Sequence, residues 1–182
     1  MIACGFDFET TGLPLHPNAK MKLQPRVIEA GFCLFNDKDE ILEEHNFMIN
    51  PEQPLEPIIT KITGITDEDL ADKPKFIQVW PQMRDIMQKA DLLVAHNAPF
   101  DVYLLQLELN RHDITTFVWP KHTLCTAQCY QEAWGRRPKL QQLYERVMGE
   151  PMNQTHRALE DVQGMVKIIL KERLLDLYKG IC

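Results

Sequence analysis

The chain has 182 residues, 45% hydrophobic and 25% charged, enough to bury a core without disulfide or metal staples, and it reads as one domain spanning residues 1–182. A formal charge of −6 argues against a protein that coats polyanions through many Lys and Arg contacts, although acidic residues gathered at a metal site would lower the total by themselves. Cys4, Cys33, Cys125, Cys129 and Cys182 form no Cys-x-x-Cys pair, which counts against a disulfide framework and a zinc knuckle.

Ile2 to Phe8 is short, apolar and aromatic, and Val27 to Phe35 and Ile41 to Ile49 share its character. With the polar turn Asn36-Asp37-Lys38-Asp39 between the last two, the pattern predicts a three-strand meander. Leu13 to Pro25 holds three prolines and two lysines and reads as an exposed loop. Three more prolines break Asn50 to Pro57, and short helical patches follow over Ile58 to Leu70, around Ile62-Thr63-Gly64-Ile65-Thr66. Phe76, Val79, Trp80, Met83 and Met87 recur at helical spacing, predicting a helix from Lys75 to Lys89. Leu92 to Ala95 suits a buried strand, and Pro99 sits well in the first turn of a helix over Phe100 to Asn110.

Helices are expected over Thr123 to Trp134 and over Leu140 to Met148, the latter ended by Gly149. A long final segment carries the stripe Leu159, Val162, Val166, Ile169, Leu170 and Leu174. Strands dominate the first half and helices the second, with one strand between helices. The expected class is α/β, a mixed central sheet flanked by helices. No stretch approaches the roughly eighteen apolar residues of a membrane span, and the N-terminus has no basic, apolar leader, so a cytoplasmic setting without membrane contact is expected.

Asp7 and Glu9 are two apart on a predicted strand, which points both carboxylates one way and Phe6 and Phe8 the other. Paired carboxylates are what hard cations such as Mg²⁺ or Mn²⁺ require, though an isolated Asp-x-Glu is more often a solvated strand edge. Asp101 falls in the first turn of a predicted helix, where an acidic residue also complements the helix dipole. His156 and Asp161 are five apart. Within one helix that spacing would separate them by about 140°, so a shared site requires His156 to lie before the helix or at its start, after Pro151-Met152-Asn153-Gln154-Thr155.

Asp-Phe-Glu-Thr-Thr-Gly-Leu at residues 7–13, His-Asn-Ala-Pro-Phe-Asp at 96–101 and His-x-x-x-x-Asp ending at Asp161 together resemble the DnaQ-like (DEDDh) 3′-to-5′ exonucleases. The resemblance extends through Arg26-Val27-Ile28-Glu29, Ile-Thr-Gly-Ile-Thr and Thr123-Leu124, in order over most of the chain. It implies an RNase H-like fold of the exonuclease type and two divalent cations, Mg²⁺ or Mn²⁺. Asp7 would bridge both, Glu9 and Asp161 would complete the first site, Asp101 would hold the second, and His156 would take a proton from the attacking water.

The same resemblance implies substrate contacts. The backbone at Thr10, Thr11 and Gly12 would lie near the 3′-hydroxyl, Ile65 and Phe100 against the terminal base, with His96 and Asn97 also on the substrate. Ile65 and Phe100 fit an ordinary core equally well. Lys20, Lys22 and Arg26 are placed to track phosphates, whereas Arg136, Arg137 and Lys139 read as a solvated face. Single-stranded DNA or DNA 3′ ends are the first expected substrate, with RNA-end trimming the alternative. Docking to a polymerase or another protein as a proofreading subunit is a third reading, and an inactive nucleic-acid-binding module ranks below these because every acidic position and His156 are present.

Overall fold

The computed structural model describes residues 1–153 and 156–180. Gln154 and Thr155 of the loop expected before His156, and Cys182, lie outside the described residues. Three antiparallel strands open the chain, β1 (Ile2–Thr10), β2 (Val27–Asn36) and β3 (Ile41–Met48). Helices α1 (Pro57–Thr63), α2 (Asp67–Leu70) and α3 (Phe76–Met87) lead to β4 (Leu92–Ala95) and α4 (Ala98–Arg111). Strand β5 (His122–Cys125) follows, then α5 (Thr126–Cys129), α6 (Gln131–Trp134), α7 (Leu140–Met148), α8 (Ala158–Lys171) and a closing 3-10 turn, Leu174–Tyr178. The sheet order is β3-β2-β1-β4-β5, with β4 parallel to both β1 and β5.

Side-chain alternation along the strands divides the core into two layers. Cys4, Phe6, Phe8, Phe32 and Leu34 pack with Trp80 and Met83 of α3 and with Leu104 and Leu105 of α4. Ala3, Cys33, Phe35, Leu92 and Val94 pack on the opposite face with Leu143 of α7 and with Val162, Val166 and Ile169 of α8. Strand β2 is buried on both faces, while β3 at the sheet edge alternates exposed and half-buried positions, as a polar edge strand does.

The fold class expected from the sequence is the one found, with two local departures. Thr123 to Trp134 is not one helix: His122–Cys125 runs parallel to β4, Leu93 opposite Thr123 and Val94 opposite Leu124, and two four-residue helices follow. The buried β4 needs a partner for its outer N–H and C=O groups, and that demand overrides the weak helical pattern. The final segment also breaks, with Arg173 at φ 53 between α8 and the 3-10 turn, so Leu174 does not continue the α8 stripe.

Candidate active site

Strands β1 and β4 pair only from Ala3–Leu92 to Gly5–Val94. Strand β4 ends at Ala95 and the chain departs as α4, while β1 runs on to Thr10. From β1 the chain first builds outward to β2 and β3, then crosses to β4 on the other side, so the junction of β1 and β4 is the switch point where open α/β sheets take ligands at their strand ends. There the Phe8 N–H donates to Asp101 Oδ1 at 3.3 Å. The first turn of α4 thereby sits against the free edge of β1.

Asp7 and Glu9 share the face of Gly5, and a Cβ at Gly5 would meet the side chains of Val162, Val166 and Met165, so this is the face that α8 covers. The close approach is made at Gly31, opposite Asp7 in the β1–β2 register. A Cβ there would lie 2.4 Å from Leu159 N and 2.5 Å from Ala158 C, closer than real Cβ atoms come to backbone. Glycine thus lets the α8 N-terminus rest on β2 and bring Asp161, in its first turn, over the Asp7–Glu9 face.

Crowding shows in the electrostatics. Burial, then the charges of Asp161 and Glu29, push Asp7 up to about 8; burial, then Asp7 and Asp161, push Glu9 up to about 9. Asp101 is raised well above the ordinary carboxylate range by burial and by Asp7. The protein alone therefore leaves this cluster short of positive charge. Ligand atoms of Glu9, His156 and Asp161 lie within 4.8 Å of one another, a grouping able to hold a metal ion. His156 is exposed at φ 52, two residues before α8. It lies outside the helix, as its five-residue spacing from Asp161 demands.

Glu29 departs from its neighbours. It faces Glu9 across the β1–β2 pair and is fully buried, yet its pKa is lowered. Burial alone would raise it, but bonds from Arg157, Asn46 and the Ala158 N–H outweigh that. Arg157 donates to Glu29 at 2.6–3.1 Å and the Ala158 N–H at 3.1 Å. A carboxylate on β2 thus caps α8 and ties down the residue next to His156. Sequence reasoning noted Glu29 only within a resembling segment; a buried acid among apolar strand residues was the available signal.

The remaining expected contacts separate into groups. Thr11 and Gly12 line a groove of about 650 Å³ with Leu13, Leu15, Leu23, Ile58 and Ile62. Thr10 is turned inward, its hydroxyl donating to Gly12 O at 2.7 Å. Ile65 is 2% exposed and packs with Ile28, Leu55 and Leu70; its side chain serves the core and offers almost no surface to a base. Phe100 is half-buried against the first core layer. His96 and Asn97 line a second cleft of about 470 Å³ with Asp7, His156 and Asp161. Arg137 and Lys139 line it too, so the face read as merely solvated fronts the acidic cluster.

The loop from Leu13 to Pro25 is built rather than loose. Gln24 is buried, its side chain accepting from Leu15 N at 3.0 Å and donating to His16 O at 3.2 Å. Arg111 of α4 donates to Pro25 O at 2.8 Å and pairs with Glu108, which in turn accepts from Val27 N at 2.9 Å.

A model of the family described as Exonuclease, RNase T, matches residues 4–169. The chain is 31% identical over 170 residues to DNA polymerase III subunit epsilon of Treponema pallidum, covering 90% of this chain and 72% of that protein. It is 30% identical over 167 residues to the PolC-type DNA polymerase III of Caldanaerobacter subterraneus, covering 91% of this chain and 11% of that protein. The chain thus spans about a tenth of the length of the PolC-type polymerases it matches. Among solved structures, the nuclease domain of 3′hExo, a DEDDh family member bound to rAMP, superposes with a TM-score of 0.74 at 20% identity, over 96% of this chain and 92% of that one.

Proposed function

Because the chain belongs to the RNase T exonuclease family, we propose that it removes nucleotides from the 3′ end of single-stranded or frayed DNA, releasing nucleoside 5′-monophosphates. One observation carries the reading: Asp7, Glu9, Asp101 and Asp161 come from three separate elements to the end of β1, with His156 beside them. The donor set fits Mg²⁺ or Mn²⁺, being carboxylate oxygen and short of positive charge. Asp7, Glu9, Asp101 and Asp161 would hold two such ions, which when bound stabilise charge on the attacking and leaving oxygens.

The chain's own groups supply the rest. His156, exposed beside Asp161, takes the proton from the attacking water, a role suited to imidazole near neutral pH. Glu29 and Arg157 hold the backbone that carries it. The Thr11–Gly12 backbone receives the terminal sugar, and the aliphatic groove beside it receives the base. Apolar contact of that kind discriminates little among bases, as an end-trimming enzyme requires.

Similarity to subunit epsilon supports DNA as substrate and proofreading beside a polymerase as the setting; the rAMP-bound fold relative supports RNA trimming as the second reading. No helix among the described residues is long and apolar enough to cross a membrane, and Cys4, Cys33, Cys125 and Cys129 are free thiols. We place the protein in the cytoplasm, with residues 1–182 acting as one nuclease domain.

The test is a time course on 5′-labelled DNA and RNA oligonucleotides with Mg²⁺, Mn²⁺ or EDTA. A ladder shortening from the 3′ end is expected, absent with EDTA and with Asp7→Asn. Substrate left intact under both metals, or cleavage surviving both EDTA and Asp7→Asn, defeats the proposal.

A further inference from the structure

We infer that Arg137 and Lys139 form a phosphate-gripping arm of the cleft, bound to non-bridging oxygens of the substrate strand, and that His96 and Asn97 are positioning residues that aim it. The inference rests on the nuclease reading above and deepens it, because it names what holds the strand's backbone rather than its terminal sugar or base.

Arg137 and Lys139 are exposed and line the cleft that also contains Asp7, His156 and Asp161. Among the described residues, Arg26, Arg84, Arg111, Arg157 and Arg173 each pair with a carboxylate. The contacts of the Arg137 guanidinium are of another kind. Its Nε donates to Gln131 Oε1 at 3.1 Å and its Nη1 to Asn97 Oδ1 at 2.9 Å. Two neutral amide oxygens fix the plane of the guanidinium and leave its charge uncompensated. An oriented guanidinium with outward N–H groups suits an oxyanion with two acceptor oxygens.

His96 anchors the same segment. One ring nitrogen, Nε2, lies 2.9 Å from Pro138 O, and Nδ1 lies 2.8 Å from Thr126 Oγ1. A carbonyl only accepts, so Nε2 carries the proton and Nδ1 accepts from the Thr126 hydroxyl. Burial lowers the His96 pKa, in keeping with a neutral ring. Both ring nitrogens are thus committed within the protein, and Pro138 is held between the two cations. Asn97, with its backbone in the left-handed region at φ 69, turns its side-chain oxygen to Arg137. These residues, expected from the sequence to touch substrate, act through the arm instead.

The arm also answers an electrostatic need. The acidic cluster faces the scissile bond, and two fixed cations on the cleft wall supply positive charge beside it, where the rest of the backbone must pass. Such contacts read phosphate and neither base nor sugar, so the arm serves DNA and RNA alike.

The deciding measurement is fluorescence anisotropy of a labelled single-stranded oligonucleotide in EDTA across a salt series, paired with shortening kinetics in Mn²⁺. Arg137→Gln is expected to weaken binding roughly tenfold and to reduce the log–log salt slope by about 0.7, the share of one phosphate contact on a single strand. Its kinetic effect should fall on KM more than on kcat. Arg137→Lys should recover part of the loss, and Lys139→Ala should lower the slope separately. His96→Ala should weaken binding in the wild-type background but add little in the Arg137→Gln background, a coupling that general destabilisation does not produce. A single neutral methylphosphonate moved stepwise along the strand should weaken wild-type binding at one linkage and leave Arg137→Gln indifferent there. Unchanged affinity and salt slope in Arg137→Gln, or full additivity with His96→Ala, overturns the arm. Wild-type protein that fails to shorten any oligonucleotide overturns the nuclease reading, and the anisotropy series then still decides whether Arg137 grips phosphate.

Discussion

Replacing Gly31 with alanine places a methyl group 2.4 Å from Leu159 N and 2.5 Å from Ala158 C. An ordinary contact begins near about 3.4 Å, so the start of α8 has to retreat by about 1 Å, and backbone atoms cannot swing aside as a side-chain tip can. Overpacking of this kind costs about 1–3 kcal/mol, a fall of roughly 2–12 °C in Tm for a chain of this size. Because Asp161 rides on that turn, a shift of about 1 Å should also lower the cleavage rate by about a hundredfold. Gly164→Ala is the matched control. Its Cβ would meet Met152 Cε at 2.5 Å, the end of a flexible side chain, and alanine in a helix interior gains up to about 1 kcal/mol over glycine. Thermal melts and oligonucleotide shortening in Mn²⁺ compare the three proteins. A Gly31→Ala protein that melts and cleaves like wild type would refute the claim that glycine at this contact sets the height of Asp161 over the sheet.

In the metal-stripped protein Asp7 and Glu9 titrate near 8 and 9 rather than at their ordinary 3.8 and 4.5, so the folded state binds more protons than the unfolded one between those limits. Stability in EDTA should therefore fall as pH rises from 6 to 9, by up to about 1.4 kcal/mol per pH unit for each group still protonated, and Mn²⁺ should abolish the trend; a Tm that climbs with pH in EDTA contradicts the reasoning. Glu29→Gln removes the charge from its bonds with Arg157 and Ala158 and should cost about 1.5–3 kcal/mol, with a larger loss of kcat than of substrate affinity. His156→Ala should lower kcat by about 10²–10⁴-fold while Mn²⁺ still raises Tm; a loss of the Mn²⁺ effect along with activity would assign His156 to metal binding instead of proton transfer.

The acidic cluster was readable because its members sit in local contexts that each suggest an element: Asp7 and Glu9 alternate with phenylalanines, Asp101 follows a proline one turn into a helix, and Asp161 precedes an apolar stripe. What lay beyond reading was whatever depends on partners distant in the chain. Thr123 to Cys125 becomes a strand because β4 presents an open edge, a fact of assembly that no local pattern announces. Ile65 was equally suited to core and base, and packing against Ile28 and Leu70 gives it to the core. Arg137 looks like any surface arginine until Asn97, forty residues away, is found holding it. Gly31 is an unremarkable glycine in the sequence, and only the arrival of α8 gives it a task.

The bond from Phe8 N–H to Asp101 Oδ1 has a bearing on how such a protein can vary. It places one acid by reference to the main chain of the strand that bears two others, and Glu29 does the same for the turn that bears the fourth through the Ala158 N–H. Relative positions of the reacting groups are thus set against main-chain atoms, through the carboxylates of Asp101 and Glu29 and the bare backbone at Gly31. The long proline-rich excursion between β1 and β2, closed on itself by Gln24 and tied to α4 through Arg111, is where the chain can acquire new length while the acidic cluster beneath it stays the same.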